Sequence, residues 1–490
     1  MASEIRVNKI INRSGLSTVT FSDDGAIVSG IVSATVYTGS GANLTDLPAG
    51  NLSGTLPAIN ASNLTNVPAA NLTGNLPAIS AANLTNVPAA NITGTLPAID
   101  GSNLTGVGAS FGNSSVNTSG IITATAFVPT SQGTLANRNK LYNGDMRISQ
   151  RGTSAFTNVG NSANTYTLDR WKLYVQNSSA RFQIEKNTDH TLPDGFTGSM
   201  RISCTTTDTS LAATDEVYLQ QSLEGQDVMD FAKGTPSAKQ YTLSFYARSD
   251  KTGTYIVRLL GRDNTTSNCS AAYTVTNSWT RHVITFPADT ASNRKDNNDN
   301  GEALRVMWYL VAGSGINNGT LQTTWANSSD TGAATGQVNF ADNNSNRDFY
   351  ITGCQLEAGP VATPFEYVPY PQQLSRCKRY FQKFTAYGDH HHFGVARAES
   401  NTARTGIVVP VPMRALPTVA CNGSRTFRGD GGYNSESTST PSMTYSGTGW
   451  DSNSNIYTID FPGHSLNHNQ MYCLMSKTTS TNALTLDSEF

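Results

Sequence analysis

The sequence predicts an all-β protein drawn out into a fibre: an N-terminal β segment, a repetitive shaft, then two β-sandwiches. Three observations lead there. Apolar and polar residues alternate in short runs, such as Tyr241–Arg248, Tyr255–Leu260 and His282–Phe286, separated by polar turns, and no long segment has helical period. A repeat with a 20-residue period occupies residues 43–107 and contains no aromatic residue. No Lys or Arg occurs between Arg13 and Arg138, so the chain changes character near residue 137.

Composition narrows the function classes. The 490 residues carry 33 Lys+Arg against 35 Asp+Glu, a net charge of −2, and only 14% are charged, against roughly 25% in an ordinary soluble domain. So few cations give no electrostatic footprint for nucleic acid. No apolar run approaches the roughly 20 residues that span a bilayer. Residues 1–12 alternate apolar and polar side chains, so no signal peptide is expected. The six Cys are spaced too widely for a disulfide framework or a Cys-x-x-Cys site, and are expected as buried thiols formed in a reducing compartment.

Residues 1–42 form the N-terminal segment, in which Asp23-Asp24-Gly25 between apolar runs predicts a hairpin turn. Ser29-Gly30-Ile31-Val32-Ser33-Ala34-Thr35, before the shaft, matches Ser119-Gly120-Ile121-Ile122-Thr123-Ala124-Thr125 after it, and both predict short β segments. In the shaft, 43–107, Asn-Leu-Thr begins at Asn43, Asn63, Asn83 and Asn103, with prolines at 48, 68, 88 and at 57, 77, 97. Frequent proline excludes a coiled coil, the absence of glycine at every third residue excludes collagen, and a central ladder strand cannot lose so many N–H donors. One copy has too little apolar surface to bury a core. Several identical chains wound together can cover the leucines, while Asn and Thr satisfy the backbone. A neck, 108–136, leads into a sandwich, 137–370, and a smaller β-sandwich tip, 371–490. In the tip, Val408–Met413 and Ile456–Phe461 are expected strands.

Leu141-Tyr-Asn-Gly-Asp-Met-Arg-Ile-Ser-Gln-Arg-Gly152, Leu168-Asp-Arg-Trp171, Gly353-Cys-Gln-Leu-Glu-Ala-Gly359 and Ala362-Thr-Pro-Phe-Glu-Tyr367 together resemble the carbohydrate-binding-module-like jelly roll of phage tail fibres. Met1–Ile10 with Arg13-Ser-Gly-Leu16 is similar to the N-termini of tail-fibre-type proteins of phages infecting cyanobacteria. The resemblance implies a homotrimeric virion protein made in the host cytoplasm. Its N-terminus would sit on a tail or baseplate protein and its C-terminus at the far end, where it binds a host-surface glycan or protein. It transfers no sugar-binding residues. The expected function is host attachment without enzymatic activity; a glycan-cleaving tailspike, or a baseplate or head-decorating fibre without a receptor role, is the alternative.

Candidate sites follow from residue type. Gly108-Ala-Ser-Phe-Gly112 matches a nucleophile elbow but sits in a Gly-rich linker, with no His before His190, and reads as coincidence. Asp296, Asn298, Asn300 and Gly301 match the opening positions of a calcium loop, while the twelfth position is Met307; the segment reads as a calcium site or as a polar hairpin loop. His390 and His392 would share one face of a strand, and three chains would then offer six imidazole nitrogens to a transition metal on the trimer axis; the segment reads equally as a solvated polar loop. Trp171, Trp279 and Trp308 are expected in the core, and Trp325, in a polar loop, reads as core or loop packing or as a ring to stack on a sugar. Between Asn422 and Asn455, Phe427, Arg428, Tyr433, Tyr445 and Trp450 lie among Ser, Gly, Asn and Thr. That mixture resembles a paratope and equally suits a long surface loop whose aromatics fold back.

Overall fold

The computed structural model describes residues 9–11, 18–38 apart from 24, 34 and 37, and 137–490 apart from 153, 162, 189–190, 344–346, 387–391, 400–401, 423–424, 430–431, 438–440, 444–455, 463–465, 467–469 and 477–481. The chain divides into two compact units, residues 1–117 and 118–490. The expected shaft, neck and segment 119–125 lie outside the described residues.

In the first unit, β1 (Lys9–Ile11), β2 (Thr18–Ser22) and β3 (Gly25–Ser29) form an antiparallel sheet. Ser22 pairs with Gly25 across the predicted Asp23-Asp24-Gly25 turn. The segment after it departs from expectation: of Ser29–Thr35 only Ser29 belongs to a strand among the described residues.

Among its described residues the second unit is all β but for short helical turns and one longer helix. Its larger part runs through β4 (Phe156–Val159), β5 (Ala163–Tyr166), β6 (Lys172–Gln176), β7 (Arg181–Asn187), β8 (Ser199–Thr206), β9 (Glu216–Glu224), β10 (Tyr241–Ser249), β11 (Gly253–Gly261), β12 (Ser267–Val275), β13 (Thr280–Phe286), β14 (Glu302–Ala312), β15 (Ala326–Asn327) and β16 (Arg347–Ala358). A six-stranded sheet, β13-β10-β16-β8-β7-β4, packs on a seven-stranded one, β15-β12-β11-β14-β9-β6-β5, and every described pairing is antiparallel. The alternation visible in the sequence decides which side chains face inward. On β10, Leu243, Phe245 and Ala247 enter the core, and on β14 Val306, Trp308 and Leu310 do the same. Trp171 and Trp308 are fully enclosed, with ring centroids 5.4 Å apart. Trp279 differs from expectation: it is half-buried, with the Arg248 guanidinium 5.7 Å from its ring.

The motifs that carry the resemblance meet in space. Cys354 N–H donates to Gly144 O at 2.9 Å, and a Cβ on Gly144 would fall on the Cys354 carbonyl, so the approach requires glycine. The Trp171 indole donates to Asn143 O at 2.9 Å.

A helix the periodicity did not reveal, Tyr370–Lys378 with Pro371 in its first turn, leads into the tip. There follow β17 (Phe381–Ala386), β18 (His392–Glu399), β19 (Thr402–Val408), β20 (Thr418–Asn422), β21 (Arg425–Gly429), β22 (Gly432–Ser437), β23 (Ser442–Met443), β24 (Ile456–Pro462), β25 (Met471–Ser476) and β26 (Asn482–Asp487). A seven-stranded sheet, β22-β21-β25-β18-β19-β24-β23, faces a three-stranded one, β17-β26-β20. The strand expected over Val408–Met413 stops at Val408, because Pro410 and Pro412 have no N–H to give a ladder. Cys204, Cys269, Cys354 and Cys377 are buried as expected, Cys421 and Cys473 half-buried, and none of the six forms a disulfide. No helix among the described residues is long and apolar enough to cross a membrane.

The two sandwiches are joined by buried charge. Arg170, fully enclosed and in the left-handed region at φ 75°, pairs with Glu489 and donates to Ser222 O, with its guanidinium 3.3 Å from the Tyr380 ring centroid. Arg379 forks onto Glu224 at 2.8 and 2.7 Å, and Arg414 donates to Ser488 O at 2.8 Å and to Asn300 O at 3.1 Å. Arg151 lies 3.8 Å over the Phe381 ring and 3.1 Å from Asp487.

Candidate functional site

Several residues expected to bind prove to be structural. Trp325 donates its indole N–H to Pro287 O at 2.8 Å, and its ring lies 5.5 Å from that of Tyr241, half-buried against the sandwich core. It packs a loop against the sandwich core. Asp296 is buried and pairs with Lys233 at 3.0 Å, Asn298 is exposed, and Asn300 donates its amide to Arg414 O at 2.5 Å. Two of these side chains are committed to different partners, so the calcium reading gives way to a loop in which Asn300 ties sandwich to tip. Among the described residues no group of three or more His, Cys, Asp or Glu side chains is placed to hold a metal.

Phe427 is fully buried, 5.9 Å from the Phe461 ring, and belongs to the tip core; it is not a receptor contact. The stretch around it is no open loop, since β21 and β22 pair as a hairpin that widens the sheet. Arg428 stays exposed on β21, opposite Tyr433 of β22. The Tyr433 side chain, Tyr445, Trp450, His390 and the His392 side chain lie outside the described residues.

The structure adds a surface that sequence reasoning missed, on the outer face of the seven-stranded sheet of the larger sandwich. Strand alternation sends Leu173, Val175, Val217, Leu219, Val306 and Trp308 inward, and the residues between them outward. Register then lines three tyrosines across three strands, Tyr174 beside Tyr218 and Tyr218 beside Tyr309. Tyr174 stacks on Tyr218 at 4.7 Å and 17°, and Tyr218 meets Tyr309 edge-on at 5.3 Å. Residues 313–337 fold over the Tyr309 end, where Ile316, Ala333 and Ala334 bury it with Ile256 and Leu260. Tyr174, at the other end, is half-buried, and its hydroxyl bonds to Gln176.

Polar groups surround this platform. Arg305 forks onto Glu302 at 2.8 and 2.9 Å, and Arg262 reaches Glu302 at 3.3 Å. Lys172 and Gln220 are adjacent in register, one row from the tyrosines. Burial brings the Lys172 ammonium down to about 8, with Arg305 adding repulsion. Gln220 Oε1, at the edge of this row, is enclosed and has no hydrogen-bond partner. Glu216, in the row beyond the tyrosines, is pushed up to about 7 by burial, reinforced by Asp330 and opposed by Arg258 and Arg305.

The Glu216 shift has a stability consequence. Its folded value lies above the ordinary 4.5 of a free glutamate, so the folded state holds the extra proton between about 4.5 and 7. Stability therefore falls as pH rises through that window, and the full cost stands above it. Glu216→Gln is expected to raise the melting temperature at pH 8 and leave it unchanged at pH 4; equal shifts at both would show that Glu216 ionises normally.

The site combines an aromatic face with the half-buried carboxyl group of Glu216 and the half-buried guanidinium of Arg305. A ring stacks on the C–H face of a sugar, while carboxyl and guanidinium groups bond its hydroxyls.

No protein-family model and no curated protein matches the sequence. Among solved structures, the chain is similar to one titled "CBM4 structure and function" (15% identity, 44% of this chain and 97% of that one, TM-score 0.23). It is also similar to the family 11 carbohydrate-binding module of a cellulosomal cellulase of Clostridium thermocellum (12% identity, 43% and 98%, TM-score 0.23). A third is the enzymatically active domain of tailspike protein 4 of bacteriophage CBA120 (11% identity, 45% and 21%, TM-score 0.24). Likeness at this level assigns neither family nor ligand.

Proposed function

We propose that the protein is a homotrimeric tail fibre that attaches a phage to its host by binding a surface glycan without cleaving it. Its N-terminal segment would dock on a tail or baseplate protein, and the fibre would be assembled in the host cytoplasm and reside in the virion. The observation that carries the glycan half is the Tyr174–Tyr218 platform, bordered by Glu216, Gln220 and Arg305. The fibre half rests on the 20-residue repeat and on the resemblance of residues 141–152, 168–171 and 353–367. Glu302 is engaged by Arg305 and Arg262, which favours binding over hydrolysis, since a glycosidase needs two carboxyl groups free to act on one bond. Three heads per fibre would lift weak single-site affinity through effective concentration. Arg428, Tyr433, Tyr445 and Trp450 of the tip are the rival receptor surface.

Two measurements test the proposal. Intact protein should be retained by host-surface polysaccharide with no oligosaccharide released; release would make it a tailspike, and no retention would leave a structural fibre. Sedimentation should give about three times the chain mass of 52.2 kDa, with a high frictional ratio. Leu64→Asp should abolish that trimer while Thr65→Asp leaves it intact, because an unpaired charge would enter an apolar axis in the first case alone. A compact monomer, or equal effects of the two variants, would overturn the shaft argument.

A further inference from the structure

The seven-stranded sheet of the tip has one face packed and one face open. On its packed face Ala396, Ala398, Ala403, Ile407, Tyr457, Ile459, Tyr472 and Leu474 meet the three-stranded sheet. Strand alternation therefore turns Val395, Gly406, Val408, Ile456 and Met471 outward. In an ordinary antiparallel sheet that outer face is polar. Here Val395 is 53%, Val408 66%, Ile456 62% and Met471 60% exposed. Val408 pairs with Ile456, Gly406 with Thr458, and Met471 lies opposite Arg397, so the four side chains form a diagonal stripe across β25, β18, β19 and β24. Gly406 sits mid-stripe, and a Cβ there would meet no heavy atom within 4 Å. Polar groups stand at the edges: Arg404 forks onto Asp460 at 2.8 and 3.1 Å on one side, and Arg428 pairs with Cys473 in register on the other. An apolar centre with a polar rim is the pattern of a protein interface.

We propose that this stripe is the contact between copies of the chain in the head of the assembled fibre. Three tip sheets stand around an axis as the sides of a prism and bury the stripe between them. The inference rests on the trimeric reading above and says where the heads touch. Three arguments favour a second copy over another occupant. The four apolar side chains, each more than half exposed, lie next to one another on one sheet face with polar groups around them, the arrangement of an association site. The shaft repeat brings identical chains side by side, so copies of this face are present at high effective concentration before any other partner arrives. The four side chains of the stripe are themselves aliphatic, so none of them stacks on a sugar. Gly406 lets neighbouring backbones approach closely at its centre.

Met471 reports on the contact without any mutation. Met229, 38% exposed on the larger sandwich, is an internal standard. Were the face free, the more exposed Met471 would oxidise faster than Met229. When full-length protein is treated with dilute peroxide, Met471 is instead expected to form sulfoxide at least about fivefold more slowly than Met229. Gly406→Cys, which the open space accommodates, should yield covalently linked chains with a short thiol cross-linker, above the level of the parent protein. Met471 reacting as fast as Met229 overturns the proposal. Slow Met471 without linkage between chains overturns it too, since a segment of the same chain then covers the stripe. Sedimentation separates the two readings: a monomer removes the trimer and this contact together, whereas a trimer with reactive Met471 removes the contact alone.

Discussion

Arg170→Met is expected to cost about 3 kcal/mol of stability, because removing one partner of an enclosed ion pair leaves Glu489 buried with Arg151, 3.6 Å away, as its remaining cation. Arg170 is fully enclosed and Glu489 nearly so, and no water can take over the lost contact. The same guanidinium also covers Tyr380 and donates to Ser222 O, which couples the larger sandwich to the tip. Methionine fills a similar volume and occupies the left-handed backbone at no greater strain than arginine, so the loss reports on charge and hydrogen bonds. Glu489→Leu alone should be similarly damaging, and the double variant should recover part of the loss, since an apolar pair of similar volume removes the desolvation cost as well as the attraction. Denaturant unfolding measures this directly. A loss under about 1 kcal/mol for Arg170→Met would show that the network does not hold the sandwiches together.

The sequence made the strands legible and left the partnerships of its side chains hidden. Tyr241–Arg248, Tyr255–Leu260, His282–Phe286 and Ile456–Phe461 are strands as their alternation predicts, because period two is a local property. Val408–Met413 misled, since its apolar character outweighed the prolines that end the ladder. Asp296, Asn298 and Asn300 matched a ligand spacing, but Lys233 and Arg414, distant in sequence, claim two of them. Leu168-Asp-Arg-Trp171 was legible as a motif and opaque as physics. Its arginine acts on Glu489 and its tryptophan on Asn143, contacts made by topology and not by spacing. The tyrosine row had a trace in the sequence, as Lys-Leu-Tyr-Val-Gln at 172–176, Glu-Val-Tyr-Leu-Gln at 216–220 and Met-Trp-Tyr at 307–309 each place a tyrosine out of phase with the inward apolar set. Only the register of β6, β9 and β14 brings the three side by side.

Tyr174→Ala is expected to reduce glycan binding by at least about tenfold while leaving the fold intact, as truncating a stacked ring at a desolvated contact typically costs more than 1 kcal/mol. The asymmetry of the tyrosine row makes this variant informative. Tyr218 is 3% exposed and wedged between two rings, so its loss would open a cavity and confuse binding with stability. Tyr174 stands half-buried at the open end, with one ring partner behind it, and a change there exposes the Tyr218 face without disturbing the inner core. Tyr174→Phe separates ring from hydroxyl: it should keep most of the affinity if stacking dominates, because the hydroxyl is already bonded to Gln176. Trp450→Ala, assayed in parallel on host cells, distinguishes the platform from the tip. Should Tyr174→Ala fold as wild type and bind as well while Trp450→Ala fails to bind, recognition belongs to the tip and the tyrosine row is structural. Should the reverse hold, the sheet face is the receptor site and the tip serves to hold three such faces in place.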